Sequence, residues 1–411
     1  MTENQLIPNL FRSEYSKIIA VLCKKFGLSN IQIAEDIVSD TFLKASETWG
    51  LKGVPNNPTA WLYKVAKNKT IDYFRHENTF INKVLPEIKN KYTNVSIVKI
   101  DLSEHNIKDS QLQMLFAVCN PIISIKNQIT FALRVLCGFG IDEISNALLT
   151  NNTAINKRLT RTKKKLRTEK INLKFPNNKE LEVRLDNVLT ILYLLFNEGY
   201  YSSTSNKSVK KELSIEAMRL LHMLLNYKPT SVPKANALMA LFCFQSSRFD
   251  ARIDTNGKSI LFKNQDRKKW NYELIEKGEF YLNLSSKGIK TSKYHLEAAI
   301  AFWHSRIETN ENEKWNHILQ LYNRLIQISY SPIIALNRTY ALSKVKGKKI
   351  ALTEALKINL KDNHLYHTLI ADLYNKIDKE KQINHLKKAL KLADTKNDKL
   401  VIINKLKALN N

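Results

Sequence analysis

The chain has 411 residues, of which 44% are hydrophobic and 9% aromatic, so it can form packed cores and is not a wholly disordered protein. Its 65 Lys and Arg residues against 38 Asp and Glu residues give a formal net charge of +27, which favours polyanionic partners, nucleic acid first and anionic membranes second. No run of about eighteen apolar residues occurs, so no membrane span is predicted, and the length suggests about two to three domains.

The N-terminal residues and the cysteines both favour a cytoplasmic protein. The opening sequence MTENQLIPNLF lacks the basic and then apolar pattern of a secretory signal peptide. No two cysteines form a CxxC pair, and each lies in an apolar helical context, so we expect buried, reduced thiols. The histidines are scattered, and neither a metal site nor another cofactor is predicted. The four cysteines are Cys23, Cys119, Cys137 and Cys243.

Residues 33–49, IAEDIVSDTFLKASETW, predict a strongly amphipathic helix. Its apolar face is formed by Ala34, Ile37, Val38, Thr41, Phe42, Ala45 and Trp49. The acidic residues outside that face are Glu35, Asp36, Asp40 and Glu47. The pattern therefore predicts a helix that packs on a core with one side and presents carboxylates to solvent with the other.

A loop and a second helix follow, and both carry residues suited to nucleic acid. Asn57 is predicted to cap the helix that opens at Pro58. Cations are interleaved with aromatic residues along this helix, which is the chemistry of single-stranded nucleic acid binding. The alternative is that most of the aromatic residues are ordinary core. The candidate residues are Lys52, Asn56 and Asn57 in the loop, and Trp61, Lys64, Lys67, Asn68 and Arg75 on the helix.

Residues 140–167 predict a helix-turn-helix motif. They follow a polar segment, residues 78–108, that predicts a flexible linker with room for one short helix, and an apolar segment, 109–139, that predicts a helical core. The first helix of the motif begins with Asp142 and Glu143, where the helix dipole favours negative charge. It is expected to bury Ile141, Ile144, Ala147 and Leu148.

The second helix of the motif is rich in Lys and Arg. Its apolar stripe is formed by Ile155, Leu159, Thr162 and Leu166. A helix-turn-helix presents the N-terminal end of this helix to the major groove and its basic flank to phosphate. By position, the candidates for base contacts are Thr153, Asn156 and Lys157, and the candidates for phosphate contacts are Arg158, Arg161 and Lys165. The alternative is a solvated basic helix in an ordinary α-hairpin.

These segments resemble a known family. AEDIVSDTFLKA and NPTAWLYKVAKNKTIDYFR resemble region 2 of bacterial sigma-70-type transcription initiation factors of the extracytoplasmic-function (ECF) kind, and the helix-turn-helix resembles their region 4. The order and spacing agree with the family, with no region 3 between. LQMLFAVCNPIIS, FNEGY and YHLEAAIAFWHS resemble a subgroup with a long tetratricopeptide-like C-terminal extension. The second helix departs from the usual family pattern, so the preferred −35 sequence does not transfer.

The resemblance implies a role for each element. The acidic face, with Glu35, Asp36 and Asp40, is expected to dock on the clamp of the large subunit of core RNA polymerase. The loop and helix from Lys52 to Arg75 are expected to capture the unwound −10 element, with one base flipped from the stack. Region 4 is expected to read the −35 element as duplex and to meet the polymerase flap. Nucleotidyl transfer belongs to the polymerase, so this chain is not expected to be an enzyme.

The C-terminal half is predicted to be helical throughout. Small residues allow close helix approach in its last part, as in about two or three degenerate tetratricopeptide-type repeats, and they are Ala335, Ala341, Ala371 and Ala389. The predicted helical segments are 181–197, 214–226, 233–245, 272–284, 293–304, 314–328, 332–345, 350–358, 363–375, 379–393 and 398–409.

An active site in the C-terminal half is the weaker interpretation of its polar residues. No nucleophile lies beside a base in the sequence, and no glycine-rich phosphate loop occurs among only 10 glycines. We interpret these residues as groups that fix helix junctions. They are Asn197, Glu198, Gln265, Asp266, Arg267, His295 and Glu297.

The patterns together predict an all-α chain with two small helical sigma domains and a large tetratricopeptide-like domain. The expected bounds are 8–77 for region 2, 78–108 for the linker, 109–170 for region 4 and 181–411 for the extension. The expected function is promoter recognition with core RNA polymerase, the extension being a regulatory element with its own protein partner. The alternatives are a stand-alone helix-turn-helix regulator fused to a scaffold, and an RNA-binding or hydrolytic protein of generic basic charge.

Overall fold

The computed structural model describes residues 3–84, 100–201, 207–252, 260, 262–306, 310–393 and 396–410. Within these residues the chain forms α-helices and short 3-10 turns and no β-strand, which confirms the predicted all-α fold. The chain divides into two compact units, Met1–Gly199 and Tyr200–Asn411. None of the helices in the described ranges is long and apolar enough to cross a membrane.

The first unit is built around its N-terminal helix. Tyr15 and Leu22 of that helix are fully buried, because it packs against the second, third and fourth helices at once. Helices of this unit are α1 (Glu3–Phe26), α2 (Ile31–Lys52), α3 (Pro58–Val84), α4 (Glu104–Val118), α5 (Ile125–Val135), α6 (Ile141–Ala147), α7 (Asn152–Thr168) and α8 (Asn178–Tyr201), whose last two residues belong to the second unit.

Helical structure extends into the segment predicted as a linker. α3 continues to Val84, and α4 begins at Glu104 with Ser103 as its cap. The Ser103 hydroxyl accepts a hydrogen bond from the backbone N–H of Asn106, which satisfies one of the free donors at the helix start. The central part of the predicted linker, residues 85–99, lies outside the described residues.

α8 belongs to the first unit, although the sequence pattern assigned residues 181–197 to the extension. The Arg184 guanidinium donates a hydrogen bond to the carbonyl oxygen of Phe116 at the end of α4. Asn187 donates to the side-chain oxygen of Gln128 in α5 at 3.0 Å. These bonds attach α8 to the end of α4 and to α5 within the first unit.

The second unit is a succession of helices in which each packs on the next. Every helical segment predicted there overlaps one of them. They are α9 (Lys207–Leu225), α10 (Pro233–Ser246), α11 (Tyr272–Ser285), α12 (Lys293–Ser305), α13 (Glu311–Ile328), α14 (Pro332–Lys346), α15 (Lys348–Ala355), α16 (His364–Tyr374), α17 (Lys379–Leu392) and α18 (Lys396–Asn410). The small residues predicted at close helix approaches, Ala335, Ala341, Ala371 and Ala389, are all buried.

α10 is the centre of the first part of this unit. It is apolar on all sides and is covered by α9, α11 and α12, as expected for a helix without a polar face. α11 approaches it closely at Gly278, where an added Cβ would lie 2.7 Å from the ring of buried Phe244. The glycine therefore sets the spacing of these two helices.

His304, at the end of α12, is expected to make the second unit sensitive to acid. Its Nδ1 is buried, its ring contacts those of Phe262 and Trp315, and burial together with the nearby cations Arg248 and Lys314 lowers its pKa from 6.5 to about 3. Between these two pH values the unfolded chain binds a proton that the folded unit does not. The contribution of neutral His304 to the free energy of unfolding is therefore complete above about pH 6.5 and is lost as the pH falls towards 3.

Replacing His304 with phenylalanine is expected to weaken this acid sensitivity, because the ring contacts are kept and the titrating group is removed. The fall in melting temperature of the full chain between pH 7 and pH 4 should be smaller in H304F than in the parent protein. The control is H222Q, which changes an exposed histidine of α9 and should leave the fall unaltered. Equal falls in H304F and the parent protein would contradict this account of His304.

Candidate nucleic-acid interface

The outer face of α2 presents carboxylates around an exposed leucine. Asp36 and Asp40 are exposed, as is Glu47. Leu43 lies on the same face at helical spacing from all three, and 60% of its surface is exposed. Lys69 of α3 approaches Asp40 at 3.4 Å, so one of these carboxylates is partly compensated. An apolar side chain ringed by like charges is typical of a protein-docking surface.

Glu35 does not lie on that face, which corrects the expectation from the sequence. Only 7% of the residue is exposed. Its carboxylate accepts hydrogen bonds from Lys163 of α7, from Nε of Arg134 in α5 at 3.4 Å, and from the Tyr15 hydroxyl of α1 at 3.4 Å. A buried carboxylate requires such partners, and here two of them are cations from the segment predicted as region 4.

The loop and α3 present most of the predicted −10 residues to solvent. Asn57 is also exposed, but its side-chain oxygen is engaged as the cap of α3, where it accepts a hydrogen bond from the backbone N–H of Ala60 at 2.9 Å. Trp61 is half-buried and packs edge to face on buried Trp49, with ring centroids 5.3 Å apart. The other exposed candidates are Lys52, which is the last residue of α2 rather than part of the loop, and Asn56, Lys64, Lys67, Asn68 and Arg75.

The other aromatic residues of α3 support the fold. The Tyr63 hydroxyl donates to the buried carboxylate of Glu14 at 2.6 Å, and burial raises the pKa of Tyr63. Phe74 stacks on Phe26 of α1 with ring centroids 5.0 Å apart. These contacts agree with the alternative that most of the aromatic residues of α3 are core.

α6 and α7 are joined by a short turn, and the start of each helix is capped. The side-chain oxygen of Asn151 accepts a hydrogen bond from the backbone N–H of Ala154 at 2.8 Å. Glu143 closes the start of α6 by accepting from the backbone N–H of Gly140 at 2.7 Å. The predicted apolar stripe of α7 is buried throughout, and it consists of Ile155, Leu159, Thr162 and Leu166.

The predicted −35 residues form one continuous polar face on α7. Arg158 is half-buried, and the others are exposed. The exposed residues are Thr153, Asn156, Lys157, Arg161 and Lys165. The buried stripe of α7 lies on the opposite side of the helix from this polar face.

Two residues of this candidate interface, Leu43 and Lys163, were not singled out from the sequence. Leu43 follows the exposed carboxylates at three-to-four spacing, a signal that the helical pattern contains. Lys163 is a half-buried member of the basic helix and pairs with Glu35 rather than facing solvent. No local pattern distinguishes Lys163 from its neighbours, because its partner is 128 residues away.

Two of the polar residues considered for an active site, Asp266 and His295, close helix starts, whereas the Gln265 amide donates to the carbonyl oxygen of Ile260 at 3.3 Å. The Asp266 carboxylate caps the 3-10 turn Arg267–Lys269 by accepting from the backbone N–H of Lys268 at 3.0 Å. His295 accepts from the backbone N–H of Ser292 through Nδ1 at 3.1 Å and closes the start of α12. Burial lowers the pKa of His295.

The four cysteines are free and buried, as predicted. Burial raises the pKa of both Cys119 and Cys243 to about 12, so these thiols stay protonated near neutral pH. In the described part of the chain, no three His, Cys, Asp or Glu side chains gather as metal ligands would.

Comparison with known proteins matches two parts of the chain to families. The sigma-70 region 2 family matches residues 10–79, and a family of unknown function, DUF6596, matches residues 184–286. An uncharacterized protein of Rhizobium meliloti (strain 1021) is 31% identical over 354 residues, which cover 85% of this chain and 83% of that protein. No solved structure matches the chain significantly. The chain therefore belongs to the family that joins an N-terminal sigma-70 region 2 to a DUF6596 segment, the organisation of an ECF-like sigma factor with a long C-terminal extension.

Proposed function

We propose that this chain is an ECF-type sigma factor that binds core RNA polymerase and directs promoter recognition and transcription initiation. The observation that supports this most is the outer face of α2, where Asp36 and Asp40 flank exposed Leu43 within the segment that matches region 2. The direct test is co-elution of the full chain with purified core polymerase in size-exclusion chromatography. Failure to co-elute at micromolar concentrations would contradict the proposal.

The docking surface on core polymerase is proposed to be the clamp of the large subunit, with the flap meeting the helix-turn-helix. The carboxylates of α2 steer the encounter with a basic clamp, while Leu43 supplies apolar area that becomes buried on binding. Glu35 is not part of this surface, since it is buried against α5 and α7.

Promoter DNA is proposed to bind in two places. The exposed cations of α3, with half-buried Trp61 beside them, suit the single-stranded −10 element, since they combine backbone charge with a stacking ring. The polar face of α7 suits the −35 duplex. Asn156 and Lys157, near the N-terminal end, are proposed to touch bases, and Arg161 is proposed to touch phosphate.

Replacing Arg161 with alanine is expected to weaken holoenzyme binding to all promoter duplexes alike. Loss of one phosphate contact should lower the slope of log affinity against log salt by about 1. Fluorescence anisotropy with a labelled promoter, at salt concentrations from about 50 to about 200 mM, measures this slope directly. K387A, which removes an exposed lysine from α17, is the control and should keep the parent slope. The same slope in R161A as in the parent protein would contradict the phosphate role.

The C-terminal extension is proposed to be a regulatory element with a tetratricopeptide-like character and a protein partner of its own. Its support is the series of helices in the second unit, each packed on the next, which is the architecture of repeat scaffolds. A fragment ending at Gly199, after the bulk of α8, removes the second unit and keeps the first. Promoter activity of this fragment equal to that of the full chain, in cells and in vitro, would contradict a regulatory role.

The stand-alone helix-turn-helix regulator is the alternative. It also uses the polar face of α7, but it gives no reason for an exposed leucine among carboxylates on α2. The two are separated by promoter binding without polymerase, because a regulator binds its operator alone whereas the proposed sigma factor needs core polymerase for specific binding.

A further inference from the structure

The buried contact of Glu35 joins the two parts of the molecule that the proposed function uses separately. Glu35 lies on α2, next to the exposed carboxylates, and Lys163 lies on α7, between the candidate phosphate residues Arg161 and Lys165. Arg134 of α5 and Tyr15 of α1 complete the group. We call these four residues the Glu35 cluster.

Further bonds join the same two parts around the cluster. Arg12 of α1 pairs with Glu143 of α6 at 2.7 Å and lies over the Phe139 ring at 4.1 Å. Lys24 of α1 pairs with Asp109 of α4 at 2.6 Å. These pairs are partly exposed, whereas the Glu35 carboxylate is buried. Removing the charge of Glu35 should therefore weaken the contact between the two parts more than removing a charge from either pair.

This arrangement cannot read both promoter elements at once. By their names the −35 and −10 elements lie about 25 base pairs apart, which is roughly 85 Å of duplex. Helix rise places Thr153 only about 15 Å from Lys163, and Lys52 about 26 Å from Glu35. Because Lys163 touches Glu35, the two DNA-facing ends are less than about 60 Å apart even if the helices lie end to end.

The chain between α3 and α4 is long enough for the two parts to separate. Residues 85–103 span up to about 65 Å when extended. If the two parts separated, Glu35 would lose its ion pairs with Lys163 and Arg134. The closed arrangement, in which these pairs are formed, therefore persists until another interaction compensates for their loss. Binding of α2 to polymerase is such an interaction.

We propose that the Glu35 cluster is an autoinhibitory contact that holds the helix-turn-helix against the polymerase-docking helix and must break before promoter recognition. This rests on the proposed sigma function, whose site it regulates. This role can be distinguished from polymerase docking, because the two predict opposite effects on activity when the Glu35 charge is removed. Loss of the Glu35 charge raises activity if the contact inhibits, and lowers activity if Glu35 docks.

The test compares E35Q with E104Q in the full chain. Glu104 forms an exposed ion pair with Lys108 inside α4, so E104Q makes the same chemical change without touching the contact. In E35Q we expect faster hydrogen exchange in peptides of α1 and α5, and about threefold or more transcript from core polymerase at limiting protein. E104Q should match the parent protein in both.

A charge exchange keeps the test decisive if E35Q folds poorly. K163M should open the contact from the other side, while E35K combined with K163E should return exchange and transcript yield towards the parent values, since the pair is restored with opposite polarity. Parent-like exchange in both E35Q and K163M, or less transcript from E35Q than from E104Q, would overturn the proposal. Faster exchange in E35Q, with neither transcript nor polymerase binding from the parent protein or any variant, would support the contact and contradict the proposed function.

Discussion

Replacing Leu43 with aspartate is expected to lower the affinity for core RNA polymerase by about thirtyfold or more. Burial of a leucine side chain contributes about 2 kcal/mol, and an aspartate in its place would also have to lose its hydration against the partner. The fold should tolerate the change, because 60% of Leu43 is exposed and its neighbours on that face are already charged. A binding titration with labelled core polymerase measures the effect.

The control for this substitution is L365D. Leu365 lies in α16 and is 47% exposed, so it undergoes the same change at a comparably exposed helix position in the other unit. Its affinity for polymerase should equal that of the parent protein. If L43D and L365D bound equally well, α2 would not be the docking helix, and the proposed role of its acidic face would be wrong.

Replacing Gly278 with alanine is expected to destabilise the second unit by about 1–3 kcal/mol, the usual cost of overpacking a core. The new methyl group would lie 2.7–2.9 Å from the ring of Phe244, which is 1% exposed and would have to shift. Helix propensity acts in the opposite direction by about 1 kcal/mol, so the steric term has to exceed it.

Gly50 provides the matched control. It lies inside α2, and an added Cβ there meets nothing within 4 Å. G50A should therefore stabilise the protein by roughly 0.5–1 kcal/mol through helix propensity alone. Chemical denaturation followed by circular dichroism measures both variants. Stabilisation by both substitutions would contradict the close approach of α11 and α10.

Hydrophobic periodicity predicted the helices whose buried face is set by their own sequence. The apolar stripes of α2 and α7 face the core, as their spacing indicates, because a helix with one apolar face has only one way to bury it. The helices of the second unit were predictable for the same reason. The exposed face of α7 followed as the complement of its stripe.

Contacts between distant segments were not predictable from spacing. Glu35 was expected outside because it falls among acidic residues, but its partners Lys163 and Arg134 are 128 and 99 residues away. α8 was assigned to the extension because nothing in its own pattern points to the carbonyl groups of α4. Gly278 is one of only 10 glycines, yet the sequence does not identify the ring of Phe244 as its neighbour.

Transcription in vitro with purified core polymerase, a pool of genomic fragments and the full chain tests the central claim most directly. The sigma assignment predicts new start sites that share −35 and −10 elements, appear only when the chain is added, and become more abundant with E35Q. Absence of new starts with the full chain, with E35Q and with the fragment ending at Gly199, together with no binding to core polymerase, would contradict it.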